Sequence, residues 1–177
     1  MLEADFLKLN LQETFGNNFS LIGNFPYNIS SQILFAVFEN KDIIPEVVGM
    51  FQKEVAERVV ARKGKRRGIL SVLLQAFYDI EYCFTVDEHG FQPPPKVKSG
   101  VIKLKRNKLE KLPCDEKLFK QIVKAGFNQR RKTLRNALKA FSLENELVTT
   151  DLLQKRAEEL SVEDFIIITK VCQKKQK

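Results

Sequence analysis

The sequence feature that most constrains the fold is an apolar run that ends in a polar and aromatic turn. Residues 19–23 are typical of a short buried strand, and residues 33–38 have the apolar spacing of a helix. Between them lies the segment Asn24-Phe25-Pro26-Tyr27-Asn28-Ile29-Ser30. A strand that leads directly into a helix is typical of an α/β sheet, where ligands bind outside the carboxyl ends of the strands. The sequence therefore predicts an α/β fold with a ligand site at this turn.

The rest of the chain divides into a mixed part and a helical part. Apolar periodicity predicts a strand at 43–51, a helix at 52–62, a buried helix at 69–78 and paired strands at 80–86 and 99–105. Near residue 107 the alternation stops and Lys-rich polar residues begin. We therefore place one domain at residues 1–107 and a small all-helical domain at residues 108–177.

Capping residues indicate where the helices of the second domain begin. We expect Asp115 to cap a helix that Gly126 interrupts or ends. Another short helix is expected to begin at Thr150 or Asp151. Residues 161–164 resemble a capping box and open the last helix.

Positive charge is concentrated in the helical domain. Residues 107–177 hold 16 Lys and Arg against 10 Asp and Glu, whereas residues 1–106 hold 14 against 12. Within residues 127–141, the spacing of the apolar residues predicts a basic amphipathic helix with one buried face. The buried face would hold Phe127, Leu134, Leu138 and Phe141. The cations around it are Arg130, Arg131, Lys132, Arg135 and Lys139. No acid lies among these cations, which favours a nucleic-acid-facing surface over a merely amphipathic helix.

Composition excludes several other classes of protein. No apolar run approaches the roughly 18 to 20 residues of a membrane-spanning helix, and the acidic start lacks the basic region of a signal peptide. Cys83, Cys114 and Cys172 show no CxxC spacing. We expect reduced thiols in a cytoplasmic protein without a metal site.

Two loops of the first domain carry candidate binding residues. The run Arg62-Lys63-Gly64-Lys65-Arg66-Arg67-Gly68 is either a solvated loop or a phosphate-contacting loop beside the active cleft. In the loop 87–96, three consecutive prolines stiffen the backbone. Phe91 precedes them and either stacks on a flat ligand or packs into the core. His89 has no catalytic partner in the sequence and is expected at the surface.

The turn itself has the residues needed to orient an exocyclic amino group of a nucleobase. Such a group is a poor nucleophile because its lone pair is delocalised into the ring. The Asn24 side-chain oxygen and a carbonyl of the Phe25-Pro26 turn could accept its hydrogens, and Tyr27 could stack on the base. The alternative is an ordinary strand-to-helix turn in which Asn28 or Ser30 caps the helix.

Four segments, in the same order, resemble the small-subunit ribosomal RNA adenine N6,N6-dimethyltransferases of the KsgA type. Residues 24–30 resemble their NLPYNIS motif, with Phe25 in place of Leu. The other matches are 51–55 to LQKEV, 91–99 to FxPPPKVxS and 127–136 to FNQRRKTLRN. The last match favours this branch over the related erythromycin-resistance methyltransferases.

This resemblance implies the C-terminal portion of a Rossmann-like class I methyltransferase sheet followed by a small helical domain. The family transfers methyl groups from S-adenosylmethionine to two adjacent adenosines near the 3′ end of small-subunit ribosomal RNA, during subunit maturation. By position, the target base would be held by Asn24, Pro26, Tyr27 and Phe91. Asp5, together with Asn24, would contact the cofactor. Ribosomal RNA, or the pre-ribosomal small subunit, would be met by Lys63, Lys65, Arg66, Arg67, Arg130, Arg131, Lys132 and Arg135.

The chain departs from the family at its N-terminus, where the Gly-rich loop and the ribose-binding acidic residue have no counterpart. We expect a truncated form of a longer enzyme, inactive alone, monomeric and with weak cofactor binding. The alternative from another class is a non-catalytic RNA-binding or ribosome-assembly module. A DNA adenine methyltransferase fits less well, because nothing resembles a DNA-recognition domain.

Overall fold

A four-stranded mixed sheet forms the centre of the first half of the chain. The structure is a computed structural model that describes residues 3–141 and 147–174. The strands are β1 Leu21–Asn24, β2 Glu46–Gln52, β3 Tyr78–Val86 and β4 Ser99–Arg106. Their order is β1-β2-β4-β3, with β1 and β2 parallel and the other pairs antiparallel. The predicted pairing of β3 with β4 is confirmed.

Helices follow or precede each strand and make up the C-terminal part. The α-helices are α1 Leu11–Phe15, α2 Ser30–Glu39, α3 Lys53–Val60, α4 Ile69–Gln75, α5 Glu116–Asn128, α6 Leu134–Ala137, α7 Leu147–Gln154 and α8 Val162–Lys174. Short 3₁₀ turns lie at Phe6–Lys8, Tyr27–Ile29, Glu88–Gly90, Lys139–Phe141 and Ala157–Glu159. In the part of the chain that the structure describes, no helix has the length and apolarity that crossing a membrane requires.

The chain forms two compact units. One comprises Met1–Val60 and Phe77–Lys108, and the other comprises Ala61–Ala76 and Leu109–Lys177. In the second unit α4 packs against α5 and α8, a grouping that the sequence did not indicate for residues 61–76. The division into functional domains at residue 107 stays a prediction.

Helix α2 contributes four side chains to the core of the first unit, and α3 packs against the sheet. Ile33, Leu34, Val37 and Phe38 of α2 are buried, and burying each of these side chains stabilises the fold by about 1.5–3 kcal/mol. Arg106 closes the end of β4, because its Nη1 donates to the carbonyl of Phe77 at 2.7 Å and its Nε to that of Lys41 at 3.1 Å.

Capping residues in the second unit act as predicted. The Asp115 carboxylate accepts from the Leu118 amide at 2.6 Å. Ser161 and Asp164 form a reciprocal capping box, with bonds of 2.9 and 3.1 Å between side chains and amides. Gly126 neither interrupts nor ends α5. A Cβ there would lie 2.9 Å from Leu134 Cδ2 and 3.3 Å from Ala157 Cβ, so this glycine permits close packing inside the helix.

Three sequence-based boundaries are wrong. The basic helix over 130–139 does not form: α5 ends at Asn128, a turn follows, and α6 begins only at Leu134. The helix predicted at 69–78 stops at Gln75, because Tyr78 joins the sheet and its hydroxyl donates to the Ile44 carbonyl at 2.8 Å. Burial raises the pKa of Tyr78. Helix α7 begins at Leu147, before the predicted Thr150 or Asp151.

Candidate functional site: an aromatic cavity at the end of the first strand

The turn after β1 places polar and aromatic side chains at the carboxyl end of the sheet. Asn24 is the last residue of β1 and is exposed, paired in register with Met50 of the parallel strand β2. The Phe25 amide continues this pairing by donating to the Met50 carbonyl at 3.2 Å. Two parallel strands thus end together beside the turn, the arrangement at which α/β folds bind ligands.

Pro26 and Ser30 shape the turn. Pro26 has φ −58° and ψ 134°, and its carbonyl accepts from the Ile29 amide at 3.3 Å and from the Ser30 hydroxyl at 3.1 Å. The alternative in which Asn28 or Ser30 caps α2 is wrong, since no side chain caps that helix. Because the Pro26 carbonyl is engaged, the Phe25 carbonyl is the better acceptor for a ligand at this turn.

Tyr27 is fixed by a residue far away in the sequence. Its hydroxyl lies 2.6 Å from Ser99 Oγ, at the start of β4. Ser99 is fully buried, and a hydrogen bond of this kind contributes about 1 kcal/mol. The half-buried Tyr27 ring is therefore anchored through its hydroxyl.

Phe25 packs on Phe51 beneath the turn. Their ring centroids are 5.2 Å apart and their planes are inclined by 24°. Gly49 provides the space, since a Cβ at this position would lie 2.5 Å from Phe51 Cε2 and 2.8 Å from Phe25 Cε2. The two aromatic rings beneath the turn are thus in direct contact.

A cavity of about 330 Å³ brings the predicted base-holding residues together. It is lined by Asn24, Phe25, Pro26, Tyr27, Phe91, Pro93 and Pro95. This volume lies near the lower end of the range of small-ligand sites. Of the two alternatives for Phe91, the half-buried ring facing this cavity fits the ligand-stacking one.

The loop that carries Phe91 is braced by an ion pair. Lys98 Nζ lies 2.8 Å from Asp87 Oδ2, and Asp87 Oδ1 accepts from the His89 amide at 3.2 Å. The hydrogen bond from Lys98 holds the pKa of the Asp87 carboxyl below its usual value, and the same contact raises the pKa of Lys98. His89 is 87% exposed, as expected.

Asp5, the other residue assigned to the cofactor, has a local structural role. Its carboxylate accepts from the Leu7 amide at 3.1 Å and lies 3.5 Å from Lys8 Nζ. Asp5 is not one of the described residues that line the cavity of Asn24.

Arg67 is a correction to the predicted RNA-binding set. It is 1% exposed, and its Nη1 donates to the carbonyls of Ala61 and Arg62 and to Gln75 Oε1. Burial lowers the pKa of Arg67 to about 10. This guanidinium holds the ends of the basic loop together and does not face solvent.

Arg130 joins the two basic segments of the second unit. Its Nη2 donates to the Lys65 carbonyl at 2.6 Å and lies 4.0 Å from Glu158 Oε2. The Gly64 amide donates to the Glu158 carbonyl at 2.8 Å. The remaining cations of the predicted set are exposed: Lys63, Lys65, Arg66, Arg131, Lys132 and Arg135.

A family model described as "Ribosomal RNA adenine dimethylase" matches residues 1–174. The chain belongs to this family. It is 61% identical over 170 residues to "Ribosomal RNA small subunit methyltransferase A" of Cytophaga hutchinsonii, covering 96% of this chain and 66% of that protein. The protein of the same name from Bacteroides thetaiotaomicron is 60% identical, with 96% and 64% covered. The chain thus spans about two thirds of the length of these relatives.

Solved structures of two methyltransferases share the fold. A dimethyladenosine transferase from Plasmodium falciparum matches with a TM-score of 0.82 and 24% identity, over 99% of this chain and 72% of that chain. The 23S rRNA methyltransferase ErmE matches with a TM-score of 0.70 and 19% identity, over 97% and 70%. The predicted class I methyltransferase fold is confirmed.

For this ribosomal RNA adenine dimethylase chain, sequence reasoning missed two residues that shape the site. Ser99 ends the FxPPPKVxS match, so the motif marked it, but its partner Tyr27 lies 72 positions away. Gly49 lies outside all four motifs, and no signal in the sequence marked the space that it leaves for the rings of Phe25 and Phe51.

Proposed function

We propose that the protein dimethylates N6 of two adjacent adenosines in a hairpin near the 3′ end of small-subunit ribosomal RNA, with S-adenosylmethionine as methyl donor. The observation that carries this proposal is the shared cavity of Asn24, Pro26, Tyr27 and Phe91. Two aromatic rings and an exposed amide at one cavity fit an unstacked adenine. The family membership of residues 1–174 supports the same substrate class.

In this proposal the turn prepares the adenine amino group for reaction. The Asn24 side-chain oxygen and the Phe25 carbonyl accept the two amino hydrogens, which localises the lone pair on nitrogen. Tyr27, oriented by Ser99, and Phe91 stack on the base and keep water from its faces. Bound S-adenosylmethionine would supply the electrophilic methyl group. Removing one such preorganised hydrogen bond typically lowers kcat by about 10²–10³-fold.

Of the residues assigned to the cofactor, Asn24 fits the role because it is exposed at the carboxyl end of β1. Asp5 would have to release its contacts with Leu7 and Lys8 to reach a ligand. We expect weak S-adenosylmethionine binding by these residues alone. Isothermal calorimetry tests this, and micromolar affinity would contradict it.

RNA affinity is assigned to the exposed cations of the second unit. Lys63, Lys65 and Arg66 lie on one basic segment, and Arg131, Lys132 and Arg135 lie on the other. Phosphate contacts of this kind supply affinity without sequence preference. Arg67 and Arg130 would act indirectly, by holding these segments in place.

The Asn24→Ala variant provides the decisive test. The measured quantity is its affinity for a labelled RNA hairpin with two adjacent adenosines. In the unchanged chain, replacing both adenosines by purine riboside, which lacks the 6-amino group, should weaken binding about 5- to 100-fold. Asn24→Ala should abolish that difference while general RNA binding persists.

Asn28→Ala is the matched control, since Asn28 is exposed and does not line the cavity. Binding that depends on the basic residues but never on the 6-amino group would instead support a non-catalytic ribosome-assembly module. Cytoplasmic location and a monomeric state are part of the proposal. Light scattering on the protein as it elutes from a size-exclusion column tests the monomeric state.

A further inference from the structure

A second cavity, of about 430 Å³, lies in the first unit. Its lining is charged, unlike that of the aromatic cavity: Gln52, Lys53, Glu54, Glu57, Glu88, Lys96, Val97 and Lys98. These residues come from the end of β2, the first turns of α3 and the loop before β4. The sequence motifs contain many of them, but the proposed reaction at Asn24 uses none.

Most of the charges around this cavity are already paired. Lys98 Nζ lies 2.8 Å from Asp87, Glu54 accepts from Arg58 at 2.6 Å, and Lys53 approaches Glu57 at 4.0 Å. Glu88 is different: within the described residues its buried Oε2 has no hydrogen-bond partner. An unpaired buried oxygen of this kind costs about 1–3 kcal/mol or more. It is therefore a place where a ligand N–H would be stabilised.

The second lining residue with capacity for a ligand is Lys96. Its side chain is exposed, and among the described acids none lies within ion-pair distance of it. A cation at the mouth and an acceptor inside match a ligand with an anionic group at one end and N–H donors at the other. A nucleotide has this combination, and the volume is within the range of small-ligand sites.

The proline loop separates the two cavities. Phe91, Pro93 and Pro95 line the aromatic cavity, whereas Glu88 and Lys96 line the charged one. Pro95 of the aromatic cavity and Lys96 of the charged cavity are consecutive residues, so the two cavities adjoin along this loop. A single RNA strand whose adenine enters the first cavity would place a neighbouring nucleotide at the second.

We propose that the charged cavity binds the nucleotide next to the target adenosine, with a base N–H donating to Glu88 and its phosphate against Lys96. This inference rests on the proposed function. Guanine is the best match, since its parallel N1–H and N2–H groups complement a carboxylate. The cavity would thus select the sequence beside the methylated adenosines, which the aromatic cavity alone cannot do.

Fluorescence anisotropy with labelled RNA hairpins tests the inference. Each hairpin has two adjacent adenosines, and the nucleotide on one side of them is guanosine or inosine, which lacks the 2-amino group. When the varied nucleotide is on the side of the adenosines that reaches the charged cavity, the unchanged chain should bind the guanosine hairpin about tenfold more tightly than the inosine hairpin. Glu88→Gln should reduce this preference to twofold or less. Lys96→Ala should weaken the binding of both hairpins equally. It should also make the slope of log K against log salt less steep by about 0.7.

Matched controls are Glu110→Gln and Lys108→Ala, which change the same charges outside the cavity and should leave the preference intact. Thermal unfolding followed by circular dichroism checks that each variant is folded. Equal binding of the guanosine and inosine hairpins by the unchanged chain overturns the inference, whatever the variants do. So does a preference that Glu88→Gln leaves unaltered.

The purine riboside hairpins distinguish this failure from failure of the proposed function. If binding requires the 6-amino groups but ignores the flanking base, only the charged-cavity inference is overturned. If binding ignores the 6-amino groups as well, both are overturned.

Discussion

At the scale of single residues, Gly49 determines what the turn after β1 can hold. Its position on β2 faces the stacked rings of Phe25 and Phe51, and Phe25 is directly bonded to Asn24. The two rings occupy the space that a side chain at position 49 would need. The orientation of Asn24 thus depends on a residue that makes no contact with a substrate.

Gly49→Ala should therefore disturb the turn. The added Cβ would lie 2.5–2.8 Å from ring carbons of a fully buried Phe51 and of Phe25, and overpacking of this kind costs about 1–3 kcal/mol. Urea denaturation should show this loss. Gly90→Ala is the control, because its Cβ would meet only Val86 Cγ1 at an ordinary 3.8 Å. Equal stability of the two variants would show that the rings shift without cost.

The sequence identified the residues of the site but not the contacts that orient them. Asn24, Pro26, Tyr27 and Phe91 belong to motifs whose chemistry is local, and the structure places them at one cavity. The bond between Tyr27 and Ser99 joins residues 72 positions apart. Periodicity carries no information about such a pair, since it depends on how β1 and β4 are placed in the sheet.

At the scale of secondary-structure elements, the difference between prediction and structure lies in the basic segments. Apolar spacing correctly marked Phe127, Leu134 and Leu138 as buried, but the same spacing could not show that the backbone leaves the helix after Asn128. Tertiary bonds decide this, because the Leu134 amide donates to the Lys155 carbonyl at 2.9 Å, outside any helix of its own. Arg130, Arg131 and Lys132 consequently lie in a turn, whereas Arg135 lies in α6.

Arg67 holds the other basic segment, and Arg67→Lys should show it. Lysine lacks the planar guanidinium that reaches the carbonyls of Ala61 and Arg62 and the side chain of Gln75. Because buried carbonyls would lose their donor, we expect the free energy of unfolding to fall by about 2–4 kcal/mol in urea titrations.

Lys63→Ala is the contrasting variant, since Lys63 is exposed on the same segment. It should leave stability within about 0.5 kcal/mol while weakening RNA binding. If Arg67→Lys were as stable as the unchanged chain and lost only RNA affinity, Arg67 would be an RNA contact and its structural role would be refuted.

At the scale of the whole molecule, the net charge of +8 has an uneven origin. Residues 107–177 supply most of the excess of Lys and Arg over Asp and Glu. In the first unit Lys96 is the cation assigned to a phosphate, so most of this unit's contribution to RNA affinity should come from stacking and hydrogen bonds. The second unit should contribute an electrostatic component that salt weakens.

That division predicts how RNA affinity depends on salt. Six exposed cations of the second unit are assigned to RNA phosphates, and each such contact on single-stranded RNA makes the slope of log K against log salt steeper by about 0.7, so these six contribute about −4. Lys96 of the charged cavity would add about −0.7. Lys132→Ala should make the slope less steep by about 0.7 and weaken all hairpins alike. Asn24→Ala should leave the slope unchanged, because Asn24 contacts a base and carries no charge. A slope of about −0.7 in the unchanged chain, which Lys96 alone would give, would mean that the basic segments do not bind phosphates, and RNA affinity would then have to come from the cavities of the first unit.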